Sequence, residues 1–248
     1  MPTVSVPALF AVQQAAQQGD RKVLTLEFED AQLNTVLYME GTEVLTVRNA
    51  LVPSWHTSLL RVGVPSRALA EAHRGSHTLF ATVQHLLNTG NLSVGDLARV
   101  AHERLVSALV PLYWHMTAVG TKLGHVDDPE DFVTRTSTPS ALTEAGWYAL
   151  TLSPDQRALR PSDRFGAPLA RLVDHPHTSL GMTWSNAQRG LSLGQIARRL
   201  PLRWDVLTGH VTELMAEQLL KPQGNGYFSP AENVGGSLGV HRPKFRSA

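Results

Sequence analysis

Residues 190–227 decide how the fold is interpreted, and they read GLSLGQIARRLPLRWDVLTGHVTELMAEQLLKPQGNGY. Ser192 followed three residues later by Gln195 is the capping-box pattern that begins a helix. Pro201 lacks a backbone N–H and restricts the residue before it, so it ends this helix and forces a turn. The stretch therefore predicts a short helix and a tight turn.

A second, longer helix is predicted directly after that turn. Leu207, Val211 and Leu214 recur at helical spacing, so one face of this helix packs on the first helix. Gly224-Asn225-Gly226 then predicts a hairpin turn that closes a short wing. Helix, turn, helix and wing in this order predict a winged helix-turn-helix.

The outer face of the second helix is the predicted contact surface for a duplex. In such modules this helix lies in the major groove of DNA and presents side chains to base edges. Neighbouring cations contact phosphates, which adds affinity without sequence information. The residues predicted to contact DNA are Arg198, Arg199, Arg203, Trp204, Thr208, Thr212, Lys221, Tyr227, Arg242 and Lys244.

Acidic residues on the same helix favour a different partner. Asp205, Glu213 and Glu217 oppose phosphate, so the motif fits protein docking or dimerisation as well as DNA binding. The surface around Arg203 distinguishes the two alternatives. A continuous positive strip from Arg203 to Arg199 and the wing favours DNA, and a strip broken by the acids favours a protein partner.

The N-terminal part of the chain predicts an antiparallel meander. An apolar stripe predicts a helix over residues 7–18, and residues 23–29 alternate between apolar and polar with a period of two. Two further strands are predicted over residues 34–39 and 44–47. Gly41 between them accepts the positive φ that a hairpin turn requires.

Helices and one last strand follow the meander. Ser93 predicts an N-cap for a long helix, residues 120–125 predict a strand, and the polar residues 126–140 predict a linker before a helix over residues 141–152. The predicted fold class is α+β, with the N-terminal meander and its helices followed by the winged helix-turn-helix. The predicted divisions are an interaction domain over 1–125, a linker and connecting helix over 126–160, the winged helix over 161–233 and a flexible basic tail over 234–248.

Apolar spacing in the first 125 residues resembles the PATAN domain of bacterial signalling proteins. The helix over 9–18 and the strand over 23–28, at the family's "gvL.l" position, carry the resemblance. The hairpin at Glu40-Gly41 matches "f.dG.iv.A", and residues 103–114 match "al..ll.w..G.f.f". Residues 169–220 are similar to a C-terminal segment found in such proteins. Glu40 stands where the family has an aspartate. The resemblance implies a regulatory or adaptor protein that works by protein contacts, and it carries over no catalytic residue.

Composition limits the function classes. The chain has 248 residues, 42% hydrophobic residues and no cysteine, so thiolate metal sites and disulfides are excluded. No apolar run approaches the roughly 18 residues that span a bilayer, and the first residues lack a basic signal-peptide region. We therefore expect a cytoplasmic protein with no membrane partner.

Charge is distributed unevenly along the chain. Residues 1–160 hold 12 Lys+Arg and 15 Asp+Glu, a net charge of −3, whereas residues 161–248 hold 10 Lys+Arg and 6 Asp+Glu, a net charge of +4. The basic part contains the helix-turn-helix pattern, as expected of a nucleic-acid contact.

Two sequence patterns resemble metal-binding or catalytic motifs, but the residues around them do not support either function. His73 and His77 have i, i+4 spacing, but no nearby acid completes a metal site of the H-E-x-x-H type. The letters Gly-x-Ser-x-Gly occur around Ser192 and Ser237, yet neither serine follows a convincing strand, as a nucleophile elbow requires. We expect no catalytic residue, no metal, no cofactor and no enzymatic activity.

These expectations combine into a two-part cytoplasmic regulator. The N-terminal domain binds a protein partner or a second copy, which predicts a homodimer, and the winged helix binds double-stranded DNA. The alternative is a signalling adaptor that does not bind DNA and uses its winged helix for protein contacts. A third class is an enzyme or a small-ligand sensor.

Overall fold

The computed structural model describes residues 6–76, 78–113, 117–118, 120–125, 134–166, 177–200 and 202–223. Within these ranges, no helix is both long enough and apolar enough to cross a membrane.

Strands and helices are numbered in chain order. The strands are β1 Val6–Pro7, β2 Arg21–Glu27, β3 Thr35–Glu40, β4 Glu43–Asn49, β5 Thr117–Ala118, β6 Gly120–His125, β7 Thr136–Ser137, β8 Phe165–Gly166 and β9 Lys221–Pro222. The α-helices are α1 Ala8–Ala16, α2 Trp55–Arg61, α3 Ser66–Arg74, α4 Leu79–Asn88, α5 Val94–Leu109, α6 Thr138–Thr151, α7 Pro154–Ala158, α8 Ser179–Gln188, α9 Leu193–Arg199 and α10 Trp204–Ala216. Two 3₁₀ helices cover Ala31–Leu33 and Val110–Tyr113.

An antiparallel sheet forms the centre of the N-terminal part. Its order is β6-β2-β3-β4-β7, and β2, β3 and β4 are joined as the meander that the alternating pattern predicts. Gly41 turns the β3–β4 hairpin with a φ of 56°, a conformation that costs glycine little because it has no Cβ. The strand predicted over residues 120–125 is β6, and it pairs with β2 across the register Leu24↔Leu123.

One face of the sheet is covered by α1, α5 and α6. Leu26, Leu37 and Val47 lie on this face and are buried, because side chains two residues apart share a face of a strand. Ser93 caps α5 by accepting from the backbone N–H of Asp96 at 3.0 Å, as predicted. This layer of helices on a sheet, together with the meander, confirms the α+β fold class.

A second, smaller core lies among α2, α3, α4 and the start of α5. Leu59, Leu69, Val83 and Leu86 are buried together there. These helices are too short to be stable alone, and they are stabilised by the apolar faces that they share.

The last described segment is a group of three short helices, α8, α9 and α10, which contact one another. Ile196, Leu207, Val211 and Leu214 are completely buried between them. The small pair β8–β9 lies beside this group, and Arg164 forms an isolated bridge to Ser192. The hairpin predicted at residues 224–226 and the tail over 234–248 lie outside the described residues.

The two halves of the chain share one apolar core. A single cluster of buried side chains runs from α1 and the sheet through α5 and α6 to α8, α9 and α10. The linker predicted over 126–140 is wrong where the structure describes it, because Thr136–Ser137 pairs with β4 and Thr138 already begins α6. The sequence analysis also missed α7 and α8, although Ser153 and Gln156 form a capping box with Pro154 at the first position of α7.

Candidate functional site

The predicted site lies on the pair of helices α9 and α10, which the sequence predicts to be a helix-turn-helix and which keep that name below. Ser192 accepts from the backbone N–H of Gln195 at 3.3 Å, and the Gln195 side chain accepts from the backbone N–H of Ser192 at 3.0 Å. The capping box is therefore complete and begins α9, as predicted. This also makes Ser192 a helix cap and not an exposed nucleophile.

Arg203, the cation expected to read bases, is held by its own chain. Its Nε and Nη2 donate to the two carboxylate oxygens of Asp205 at 3.1 and 3.0 Å. Its guanidinium carbon lies 3.6 Å from the centre of the Tyr148 ring on α6. Two of its five N–H groups are thus committed to Asp205 and one face of the guanidinium is covered by Tyr148, so the orientation of this side chain is fixed by its own chain. Burial opposes its charge, but the hydrogen bonds and charge of Asp205 outweigh burial and raise the pKa of Arg203.

Two residues predicted on the outer face of the second helix are buried. Trp204 is 2% exposed and Thr208 is fully buried, so neither side chain lies on the outer face where the prediction placed it. Thr208 donates its hydroxyl proton to the carbonyl of Trp204 at 2.9 Å. The helix α10 is packed on two sides. One side contacts α8 and α9, and another contacts α7, which precedes them in the chain.

The segment before the helix-turn-helix covers the start of α10. The Gln156 side chain on α7 donates to the carbonyl of Asp205 at 3.3 Å. A Cβ placed on Gly209 would lie 3.3 Å from the same amide nitrogen, so Gly209 gives α7 room to approach. In DNA-reading modules this N-terminal part of the second helix enters the groove. Here it lies against α6 and α7.

Polar contacts also fix α9 on the N-terminal part. Arg198, predicted to contact phosphate, donates from its Nε to the carbonyl of Ala50 at 2.9 Å. Ser192 donates to the Gln32 side chain at 3.4 Å. A Cβ on Gly194 would lie 2.1 Å from the oxygen of that side chain, so a larger residue at this position would require the end of the Gln32 side chain to move. The helix-turn-helix is thus docked on its own chain.

The remaining predicted contacts divide into three groups. Arg199 and Lys221 are exposed, as a phosphate contact requires. Thr212 is half-buried and donates to the carbonyl of Gly209 at 2.9 Å. Glu213 and Glu217 are exposed on α10, so the acids predicted to interrupt a positive strip do face solvent. Three further predicted residues lie outside the described ranges: Tyr227, Arg242 and Lys244.

A chain of polar contacts continues from Arg203 into the N-terminal part. Glu144 on α6 accepts from the His102 ring on α5 at 2.6 Å. Burial opposes the charge of Glu144, but hydrogen bonds from His102 and Tyr148 outweigh it and lower the pKa of this carboxyl. Tyr148 then stacks on Arg203. The network connects α5, α6 and the start of α10.

The sequence analysis missed an exposed apolar pair on α6. Trp147 is 62% exposed and Leu150 is 79% exposed. Their i, i+3 spacing places them on one face of the helix. A tryptophan in a helix is commonly expected in the core, but here the neighbouring Tyr148 and Ala149 face the core instead. The composition of α6 is apolar on both sides, so periodicity alone could not separate a core face from an exposed one.

A search of the described ranges finds no group of three or more His, Asp or Glu side chains that could hold a metal ion. His77, one of the two histidines considered for such a site, lies outside those ranges. Comparison of the chain with protein-family models, with curated proteins and with solved structures finds no match. The PATAN resemblance stays a prediction based on apolar spacing.

Proposed function

We propose that this protein is a regulatory adaptor that acts through protein contacts, with its helix-turn-helix serving as a docked structural element. The observation that carries the proposal is the covered start of α10. Arg203 is occupied by Asp205 and Tyr148, and Gln156 of α7 bonds to the first turn of the helix. A helix covered in this way is poorly suited to enter a major groove.

The exposed pair Trp147 and Leu150, here called the α6 patch, is the surface proposed to bind the partner. Tryptophan is among the residues that most often dominate binding energy at interfaces. Large apolar side chains that adjoin one another at a surface favour association, because water is released when they are covered. The patch lies on the same helix as Tyr148, so a bound partner would sit beside the start of α10.

The α6 patch can be tested with a matched pair of variants. The double variant Trp147→Ser, Leu150→Ser removes the patch. The control is Leu123→Ser, which removes a leucine on β6 that is 52% exposed. Cross-linking in the source cell, followed by reconstitution with purified partner, is expected to show a complex with the wild type and the Leu123→Ser control. Loss of the complex in the double variant supports the proposal. A complex of unchanged affinity in the double variant contradicts it.

A second candidate function is DNA contact through cations that flank α10. Arg164, Arg189, Arg199 and Lys221 are all exposed. The β8–β9 pairing brings the backbones around Arg164 and Lys221 close together, since the backbone carbonyl of Arg164 accepts from the backbone N–H of Gln223 at 2.8 Å. Such a surface would contact phosphates without reading sequence.

This candidate predicts binding that is sensitive to salt and indifferent to sequence. Replacing Arg199 and Lys221 with alanine is expected to weaken binding to every duplex equally at low ionic strength. The absence of any duplex binding by the wild-type protein under those conditions would exclude this candidate and leave the adaptor proposal intact.

A further inference from the structure

Helix α6 presents to solvent a face without charged side chains. Exposed residues recur on this face at intervals of three, four and three residues, which places them along one side of the helix. They are Ser140, Thr143, Trp147 and Leu150, and they are called the α6 stripe here. Glu144 is the one charged residue of the helix, and it is paired with the His102 ring of α5. The stripe thus extends the α6 patch towards the start of the helix and remains uncharged along its length.

The order of residues along α6 suits pairing with a second copy of the same helix. The six exposed residues of the helix, at positions 139, 140, 143, 147, 150 and 151, lie symmetrically about Ala145. A two-fold axis at Ala145 would therefore bring each of them against an exposed residue of an antiparallel copy. Thr143 would meet Trp147 of the second copy, and Ser140 would meet its Leu150. A small side chain then faces a large one at each contact, as close helix packing requires.

Side chains on this face are already arranged for burial. Thr143 donates its hydroxyl proton to the carbonyl of Pro139 at 2.9 Å, and Thr151 donates to the carbonyl of Tyr148 at 2.7 Å. Hydroxyls that are bonded within their own helix lose little when water is removed from around them. The Trp147 ring packs edge-on against the Tyr148 ring, with 5.2 Å between the ring centres. Its orientation is therefore set before binding, which lowers the entropy cost of association.

Charge favours a second copy over an acidic or basic partner. A two-fold contact brings a surface against a copy of itself, so a charge near the axis meets an identical charge. The exposed face of α3 carries three such charges, on Arg67, Glu71 and Arg74. The α6 stripe carries none, so its contact with a second copy meets no repulsion. It also offers no charge that would attract or select a partner of opposite charge.

We propose that the α6 stripe forms a two-fold, antiparallel contact with the α6 stripe of a second copy of this chain. This inference rests on the proposed function, and it identifies the partner that covers the α6 patch. The stripe is only about 15 Å long, from a rise of roughly 1.5 Å per residue. It therefore provides less than the about 800 Å² per partner that is usual in a stable complex. The expected dimer is weak, and its population depends on protein concentration.

Sedimentation velocity of the full chain, from about 1 µM to about 1 mM, tests the contact over the range of weak affinities. The wild type is expected to change from monomer to dimer within this range. Trp147→Arg and Thr143→Glu each place a charge in the contact, and each is expected to weaken dimerisation by about tenfold or more. The control Leu123→Ser changes an exposed leucine on β6 and is expected to dimerise like the wild type.

Mixing the two charged variants distinguishes a direct contact from a defect in folding. In the antiparallel pair, the carboxylate introduced by Thr143→Glu in one copy faces the guanidinium introduced by Trp147→Arg in the other. Such groups form a strong, charge-assisted pair. An equimolar mixture is therefore expected to form heterodimers more readily than either variant forms homodimers. Labelling one variant with a fluorophore allows the heterodimer to be followed separately.

Three results would overturn the contact with a second copy. They are a wild type that stays monomeric up to about 1 mM, a dimer that both charged variants leave intact, and a mixture that associates no better than its components. The first result also separates this inference from the proposed function. A monomeric wild type whose complex with a different protein is lost in the double variant Trp147→Ser, Leu150→Ser would contradict only the contact with a second copy.

Discussion

The guanidinium carbon of Arg203 lies 3.6 Å from the centre of the Tyr148 ring, and this contact joins the helix-turn-helix to α6. Asp205 accepts two hydrogen bonds at the edge of the same guanidinium. The first cation of the second helix is thus directed into the protein. The arrangement explains why a segment with the sequence pattern of a DNA-reading motif presents so little of that motif to solvent.

Two tryptophans on neighbouring elements should differ greatly in their contribution to stability. Trp204 is 2% exposed, so Trp204→Ala is expected to lower the free energy of unfolding by about 3–5 kcal/mol through the cavity that it leaves. Trp147 is 62% exposed, and Trp147→Ala is expected to change the free energy of unfolding by less than about 0.5 kcal/mol. Urea unfolding measures both. Equal effects would mean that Trp204 is not a core residue.

The docking of α9 on the N-terminal part can be tested at Gly194. Gly194→Ala adds a Cβ that would lie 2.1 Å from the Gln32 side chain and 3.3 Å from the carbonyl of Pro161. We expect it to destabilise the protein despite the roughly 1 kcal/mol that alanine gains over glycine within a helix.

Shortening the opposing side chain should reduce that effect. In a Gln32→Ala background, Gly194→Ala is expected to be less destabilising, because the contact with Gln32 is gone while the Pro161 carbonyl remains 3.3 Å from the added Cβ. A double-mutant cycle of urea unfolding curves measures this coupling. Gly19→Ala, whose Cβ would meet nothing within 4 Å, is the control. Strictly additive effects of the two changes would show that the two residues are not in contact.

The packing of α10 on α8 should be sensitive to pH through His210. Its ring faces the hydroxyls of Ser179 and Thr183. Burial lowers the pKa of His210, and the charge of Glu213 opposes this only partly. Since the unfolded chain binds the proton first, at an ordinary value of about 6.5, stability is expected to fall as the pH drops through that value towards the lower pKa of the folded state.

His210→Gln should remove this part of the pH dependence. As the pH falls from about 7 to 5, the free energy of unfolding of the wild type is expected to fall relative to that of the variant. Other effects of the substitution are expected to add only a difference that does not depend on pH. Unfolding curves measured across this range provide the comparison, with exposed His85→Gln as the control. A wild-type pH profile that His210→Gln leaves unchanged would show that this ring titrates equally in both states.

Local patterns predicted the meander and the capped helices because their determinants lie within a few residues. The Ser93 and Ser192 caps, the Gly41 turn and the period of two in β2 are of this kind. The strand β7 was missed because its two residues gain their structure from pairing with β4, over 90 residues away. The short helices α7 and α8 have too few turns for periodicity to stand out.

The predicted site could be placed on a helix, and its periodicity also contained the orientation of that helix. Trp204 lies three residues before Leu207 and seven before Val211, and Thr208 lies three before Val211, so helical spacing places both on the core face with these residues. Assigning Trp204 and Thr208 to the outer face was therefore an error of interpretation. The exposure of Trp147 is different, because it depends on which elements pack on α6, and the local sequence does not show this.

Selection of duplexes from a random-sequence pool, followed by titration at physiological ionic strength, tests the central claim most directly. Because Arg203 and the start of α10 are covered by α6 and α7, the wild-type protein is expected to enrich no sequence motif. Any binding at low ionic strength is expected to be the same in Arg203→Ala. An enriched motif bound tightly at physiological ionic strength, with the binding lost in Arg203→Ala, would contradict the account.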